Sequence, residues 1–180
     1  MVDMSKRLRS ITGWALLLGA AGIFLDSWAS WTLDSNSPGW LVSIVAPAGL
    51  GEGSIGLIPA YIGVTVGMIG FVVVLYRSGH MWPALLAGVG VLGMFTFWYS
   101  YPARATFGGT GSILVGVALL ALPDWWRLAS PAWVASGVMG IPELVRPGIY
   151  WGPVASFTLL GLAIAVTGVS SIWGRTDAGT

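Results

Sequence analysis

Three carboxylates stand where an acid could do chemistry: Asp26 in LDSW, Asp124 in LPDWW and Glu52 in GLGEGSIG. An ionised carboxylate in hydrocarbon costs several kcal/mol, roughly 2.5–3.5 on insertion scales, so an acid kept there marks an ion or proton path. Asp26 and Asp124 each have tryptophans close by, and an acid that ends a helix at the headgroup level beside the aromatic belt accounts for that context. Glu52 lies between glycines, where it reads as a solvated acid at a helix start or as a gate or cation contact. No lysine follows that glycine run, so it is not a phosphate loop.

The remaining chemistry-bearing types are sparse. His80, in RSGHMWP, is the only histidine. One imidazole cannot supply both axial ligands of a membrane cytochrome haem, nor the several ligands of a His-rich zinc or copper site. With no cysteine, disulfides, thiolate nucleophiles and cysteine-ligated metals are excluded. The aromatic run FTFWYSY at 95–101 reads as an interface belt, or as a surface on which a pigment, quinone or cationic ligand could stack. No cofactor is assigned.

The elements that must position these residues are apolar. The 180-residue chain is 56% hydrophobic and 8% charged, with mean hydropathy +0.82, whereas a soluble domain has about a quarter of its residues charged. Uncharged runs at 57–76, 81–102, 105–123 and 147–174, with a shorter one at 11–25, match the roughly 20 residues needed to cross a bilayer as a helix. The expected fold class is therefore all-α: one polytopic membrane helix bundle of about five transmembrane helices spanning 1–180. KRLR at 6–9 before an apolar stretch has the outline of a secretory leader, but that stretch is repeated later in the chain, as a discarded leader need not be.

TGWALLLGAAGIFLDSW at 12–28 and TGSILVGVALLALPDWW at 110–126 share Thr12/Thr110, Gly13/Gly111, Leu16/Leu114, Ala20/Ala118, Asp26/Asp124 and Trp28/Trp126. Ser37-Pro38-Gly39-Trp40 follows the first and Ser130-Pro131-Ala132-Trp133 the second. Each is succeeded by a short apolar stretch, within 40–51 and 131–142, expected to be interfacial or re-entrant. Pro59 and Gly67 then correspond to Pro153 and Gly161. The expectation is a duplication of a two-helix unit, 12–76 and 110–173, joined by a helix at 81–101. An odd number of helices would invert the second copy, as in many transporters. The proline of each S-P-x-W turn should stop a helix and its tryptophan should anchor at the headgroups, on opposite faces for Trp40 and Trp133.

The paired Ser-Pro-x-Trp segments are similar to the Ser-Pro-Trp core of the SPW-repeat membrane proteins. They depart from it by one inserted residue, Gly39 or Ala132, and by following the helix rather than lying in it. The resemblance carries no function across.

Lys6, Arg7, Arg9, Arg77, Arg127 and Arg146 fall on one side of the expected topology and Arg104 and Arg175 on the other. Basic residues in short loops stay inside. The expected localisation is the cell membrane, multi-pass, with the N-terminus cytoplasmic and the C-terminus external. Small residues at Gly63, Gly67, Gly88, Gly116 and Gly161, with Ala84, Ser112 and Ala165, have the spacing of helix-packing seams. The partners expected are the lipid bilayer and either a homo-oligomer or other membrane subunits. A net charge of +1 points to no nucleic acid. No constellation favours an enzyme, so the first functional expectation is a non-catalytic accessory or structural subunit of a membrane assembly. The alternative is a small-solute transporter or channel, for which Pro47, Pro59, Pro142 and Pro153 would supply helix interruptions.

Overall fold

The computed structural model describes residues 4–34, 58–95, 101–122, 124–141 and 151–173. All regular structure among them is helical: α1 (Met4–Asp34), α2 (Ile58–Arg77), α3 (Met81–Phe95), α4 (Tyr101–Leu120), α5 (Asp124–Arg127), α6 (Ser130–Gly140) and α7 (Trp151–Trp173). Five of these helices carry proline at their second or third residue: Pro59, Pro83, Pro102, Pro131 and Pro153. In the first turn the missing N–H would have had no intrahelical acceptor, and the fixed φ already suits a helix. Pro59 and Pro153 thus open helices rather than interrupt them. Pro131 likewise starts α6, where a helix-stopping proline was expected. Pro47, Pro142, Glu52 and Trp40, with the whole 41–51 stretch, lie outside the described residues.

α1 packs between α2 and α7, and α4 packs between α3 and α6. Two layers of three helices result, closed by α2 against α3 and by α6 against α7, with α5 across one end. A helix flanked on both sides needs small residues on two faces. α1 supplies Gly13 towards Gly168 and Ile172 of α7, and Gly19 towards Val64 of α2; α4 supplies Gly111 towards Gly90 of α3, and Gly109 towards Gly137 and Ile141 of α6. The sequence echo falls on the central helix of each layer over 12–28 and 110–120, and its second copy runs on through the turn into α5.

These contacts fix helix direction. Thr12 meets Gly70 and Gly19 meets Val64, so α1 and α2 are antiparallel; Gly13 meets Gly168 and Phe24 meets Gly161, so α1 and α7 are antiparallel too. α6 runs against α4, since Ser130 lies at Gly116 and Gly137 at Gly109. The reversal made by α6 brings Trp173, at the end of α7, to the same end of the bundle as the start of α1. The expected odd alternation with termini on opposite sides gives way to this arrangement. α1 and α4 point oppositely, as inverted copies would, but α2 and α7 point the same way, so the directions do not follow two inverted hairpins.

Two helical stretches, Lys6–Leu25 and Ala155–Trp173, are long and apolar enough to cross a membrane; Tyr61–Arg77, Met81–Met94 and Phe107–Leu120 are shorter apolar helices. α1 continues past Asp26 to Asp34, so that acid does not end its helix, and ASWTLD after it contains neither Pro nor Gly to do so. Between α2 and α3 the chain turns at Ser78–His80. Gly79 has φ +82 there, a left-handed conformation that glycine adopts without a Cβ penalty. Ser78 N–H donates to Val74 O (3.0 Å) and His80 N–H to Leu75 O (3.0 Å), which closes the last turn of α2.

Candidate functional site

Among the described residues a set of hydroxyl side chains is gathered inside. Thr12, Ser112, Ser130, Ser136, Thr167, Ser170 and Ser171 are buried, and most of them converge on α6. A buried hydroxyl costs free energy unless it is paired; helix carbonyls pair six of these, while Thr12 Oγ1 has no hydrogen-bond partner. Ser130 Oγ donates to Gly116 O (2.7 Å), Ser112 Oγ to Trp133 O (2.9 Å) and Ser170 Oγ to Trp125 O (3.0 Å). The centre is Trp133, fully buried, whose Nε1–H donates to Thr167 Oγ1 at 3.0 Å. Thr167 in turn donates to Ala163 O (2.7 Å), and Ser171 to Thr167 O (2.9 Å).

Trp133 is thus a core residue rather than a headgroup anchor. α6 packs between α4 and α7 and buries Ser130, Trp133, Ser136 and Gly137, while Pro131 and Val138 on its other face are exposed. The residue type misled because tryptophan is amphipathic, and an N–H with a buried acceptor behaves like the rest of an apolar core.

Ser136 and Ser156 make a reciprocal pair: each hydroxyl donates to the other residue's carbonyl, at 3.0 and 2.9 Å. This clamp joins α6 to α7 near the end of α6 remote from α5. Ser136→Ala and Ser156→Ala should each lower thermal stability in detergent by about 0.6 kcal/mol, rising to roughly 2 at most. Because each substitution removes only one donor of the pair, the double variant should lose nearly the sum. A double-variant loss no larger than either single one would show that the two bonds act as one unit.

The acids are not brought together. Asp26 belongs to α1 close to the Ser27–Thr158 contact (3.2 Å between hydroxyls), while Asp124 opens α5 at the other end of the bundle. Asp124 starts a helix where the sequence placed it at a helix end. The side chains of both acids, and all of Glu52, fall outside the described set. His80 is half-buried at the α2–α3 turn; its carbonyl accepts Ala84 N–H at 2.9 Å, and its Nδ1 has no hydrogen-bond partner. Among the described residues no group of three His, Cys, Asp or Glu could hold a metal.

The seam glycines differ from one another. A Cβ on Gly67 would stand 2.7 Å from Leu16 Cγ and 2.9 Å from Leu16 N; on Gly63, 2.9 Å from Ala15 O; on Gly116, 2.7 Å from Val134 Cγ2 and 3.1 Å from Ser130 O. At Gly161 the neighbour is the Phe24 ring at 3.1 Å, a side chain that can give way. At Gly88 the nearest atom is Val72 Cγ1 at 3.7 Å, ordinary van der Waals contact. The backbone-to-backbone approaches at Gly13, Gly90, Gly111, Gly137 and Gly168 were not singled out from sequence. Single-residue spacing within one helix carried no sign of which partner helix each would meet.

No known protein family, no curated protein and no solved structure matches the chain.

Proposed function

We propose that the protein resides in a membrane as a multi-pass bundle and serves as a non-catalytic structural or accessory subunit of a membrane assembly. The observation that carries membrane residence is the apolar exposed surface of the bundle. Serine and threonine hydroxyls are buried within an apolar core, and exposed stripes are apolar as well: Ile11, Trp14 and Leu18 on α1; Ile62, Val66, Ile69 and Val73 on α2; Leu85, Val89 and Leu92 on α3. Such stripes at three- and four-residue spacing would be a large apolar patch in water, whereas lipid covers them without cost. The interior hydroxyls bond to helix carbonyls, which favours a role in holding helices together over one in passing a solute.

A second reading, a small-solute transporter or channel, is favoured by α6. Eleven residues span about 16 Å, half a bilayer, and half-length helices inside a bundle frame substrate sites in many transporters. Purification in mild detergent from native membranes separates the two readings. Stable co-purifying membrane subunits are expected; a self-contained particle that carries solute flux in liposomes would overturn the structural reading.

Topology gives a sharper test. In this cysteine-free chain, Lys6→Cys and Trp173→Cys should react with an impermeant maleimide from the same side of sealed vesicles, and reaction of both should follow the cytoplasmic side. Labelling from opposite sides would contradict the antiparallel pairing of α1 and α7. Release of the protein from membranes by alkaline carbonate would contradict membrane residence itself.

A further inference from the structure

Lys6, Arg7, Arg9, Arg77 and Arg127 belong to the bundle end at which α1 begins, while Arg104 lies in the first turn of α4 at the other end. Thr12 lies against Gly70, so the C-terminal turn of α2, with Arg77, stands beside the first turns of α1, with Lys6 and Arg7. Phe71 of α2 packs on Trp126 of α5, ring centroids 5.3 Å apart, and this brings Arg127 to the same end. Ser170 of α7 binds Trp125 O, which closes the circle. Lys6, Arg7, Arg77 and Arg127 are all exposed. Asp124 opens α5 here as well. Arg127 Nε donates to Leu122 O at 2.7 Å.

A second feature sets the level of this end. Tyr76, Trp82, Trp125 and Trp173 are each 60% exposed or more, and all four sit at the same end as the cations. Amphipathic rings in that position settle at the headgroup boundary, and phosphate lies just beyond it.

We propose that this end binds the headgroups of anionic phospholipids, with Lys6, Arg7 and Arg77 as the charge contacts and the exposed aromatic rings packed on the adjoining acyl carbons. Charge complementarity selects this occupant: a zwitterionic headgroup offers no net charge to a set of cations spread over α1 and α2, while each basic residue near an anionic surface strengthens binding by roughly five-fold. The proposal rests on membrane residence, and the experiment keeps the two apart.

Detergent-purified protein is titrated with phosphatidylglycerol or phosphatidylcholine, and lipid retained per protein is counted by native mass spectrometry. Phosphatidylglycerol should be retained in preference to phosphatidylcholine. Arg7→Gln combined with Arg77→Gln should weaken that retention by about 25-fold, whereas Arg7→Lys with Arg77→Lys should retain it. The glutamine variant's melting temperature, measured in lipid-free detergent, should match wild type, because neither arginine is placed in the helix seams. Equal retention of the two lipids, or phosphatidylglycerol binding unchanged in the glutamine variant, overturns the proposal. Competition by glycerol phosphate as effective as by phosphatidylglycerol overturns it too, since a free phosphate would then suffice. Partition of the protein into the aqueous phase of a cloud-point detergent is the separate result that would remove membrane residence.

Discussion

Gly67→Ala should destabilise the bundle by about 2–3 kcal/mol, the upper part of the range for forcing an extra methyl into a filled seam, while the identical change at Gly88 should be neutral or stabilise by up to about 1 kcal/mol. At Gly67 the new methyl meets Leu16 Cγ and Cδ2 at 2.7 Å and, behind them, Leu16 N at 2.9 Å. Leu16 is fully buried and its side chain has no free volume to enter, so the α1 and α2 backbones must separate. Separation weakens every neighbouring contact of the seam, including Gly63 on Ala15 O and Gly70 on Thr12. At Gly88 only Val72 Cγ1 is near, at 3.7 Å, and alanine gains helix propensity of about 1 kcal/mol over glycine. Thermal unfolding in one detergent, followed by tryptophan fluorescence, measures both. Equal melting temperatures for the two variants would mean that the α1–α2 seam is looser than its geometry.

Trp133→Ala should have the larger effect, about 3–5 kcal/mol. The indole is completely buried, and its removal leaves a cavity where α6, α7 and α4 meet. It also takes away the donor to Thr167 Oγ1 (3.0 Å), in a place where Ser112 already relies on the Trp133 carbonyl (2.9 Å). Trp133→Phe separates the parts of this loss. Phenylalanine keeps much of the volume and gives up the N–H, and Thr167 retains its own bond to Ala163 O. The Phe variant should therefore lose only about 1–2 kcal/mol. Both variants should be compared with Trp125→Ala, at an exposed indole, which should change stability by less than about 0.5 kcal/mol. A Trp133→Ala protein as stable as the Trp125→Ala protein would place Trp133 at the surface after all.

How much was legible before any coordinates follows from which residues answer to local rules. Helix was written in the composition and in the apolar runs at 57–76, 81–102, 105–123 and 147–174, because an apolar run of that length has few other ways to satisfy its backbone. Glycine at packing spacing was visible at Gly63 and Gly67. The spacing could not tell Gly67 from Gly88, since the difference between 2.7 Å and 3.7 Å belongs to the partner helix and not to the helix that carries the glycine.

The S-P-x-W pattern shows the same limit from the other side. Its proline was read as a stop and its tryptophan as an interface anchor, and both assignments are sound for a turn at a membrane surface. Proline is equally at home in a first turn, and the five prolines that open α2, α3, α4, α6 and α7 use it that way. A local pattern does not say which side of the boundary the helix lies on.

The candidate acids were chosen on context alone, and Asp26 and Asp124 lie at opposite ends of the bundle. The residues that the fold brings together are neutral ones, Trp133, Thr167, Ser112, Ser136 and Ser156, whose spacing of 20–34 residues in the bonded pairs leaves no periodic trace.

The amino-acid sequence by itself determined that this chain forms apolar helices and that glycine lets them approach closely. Those properties depend on a residue and its near neighbours. Only the tertiary structure decided that α6 turns back along α4, that Trp173 returns to the end where α1 begins, and that Trp133 is core. Each of these depends on which helix lies beside which, and in a chain whose apolar faces resemble one another that choice is made by the fit of side chains across seams.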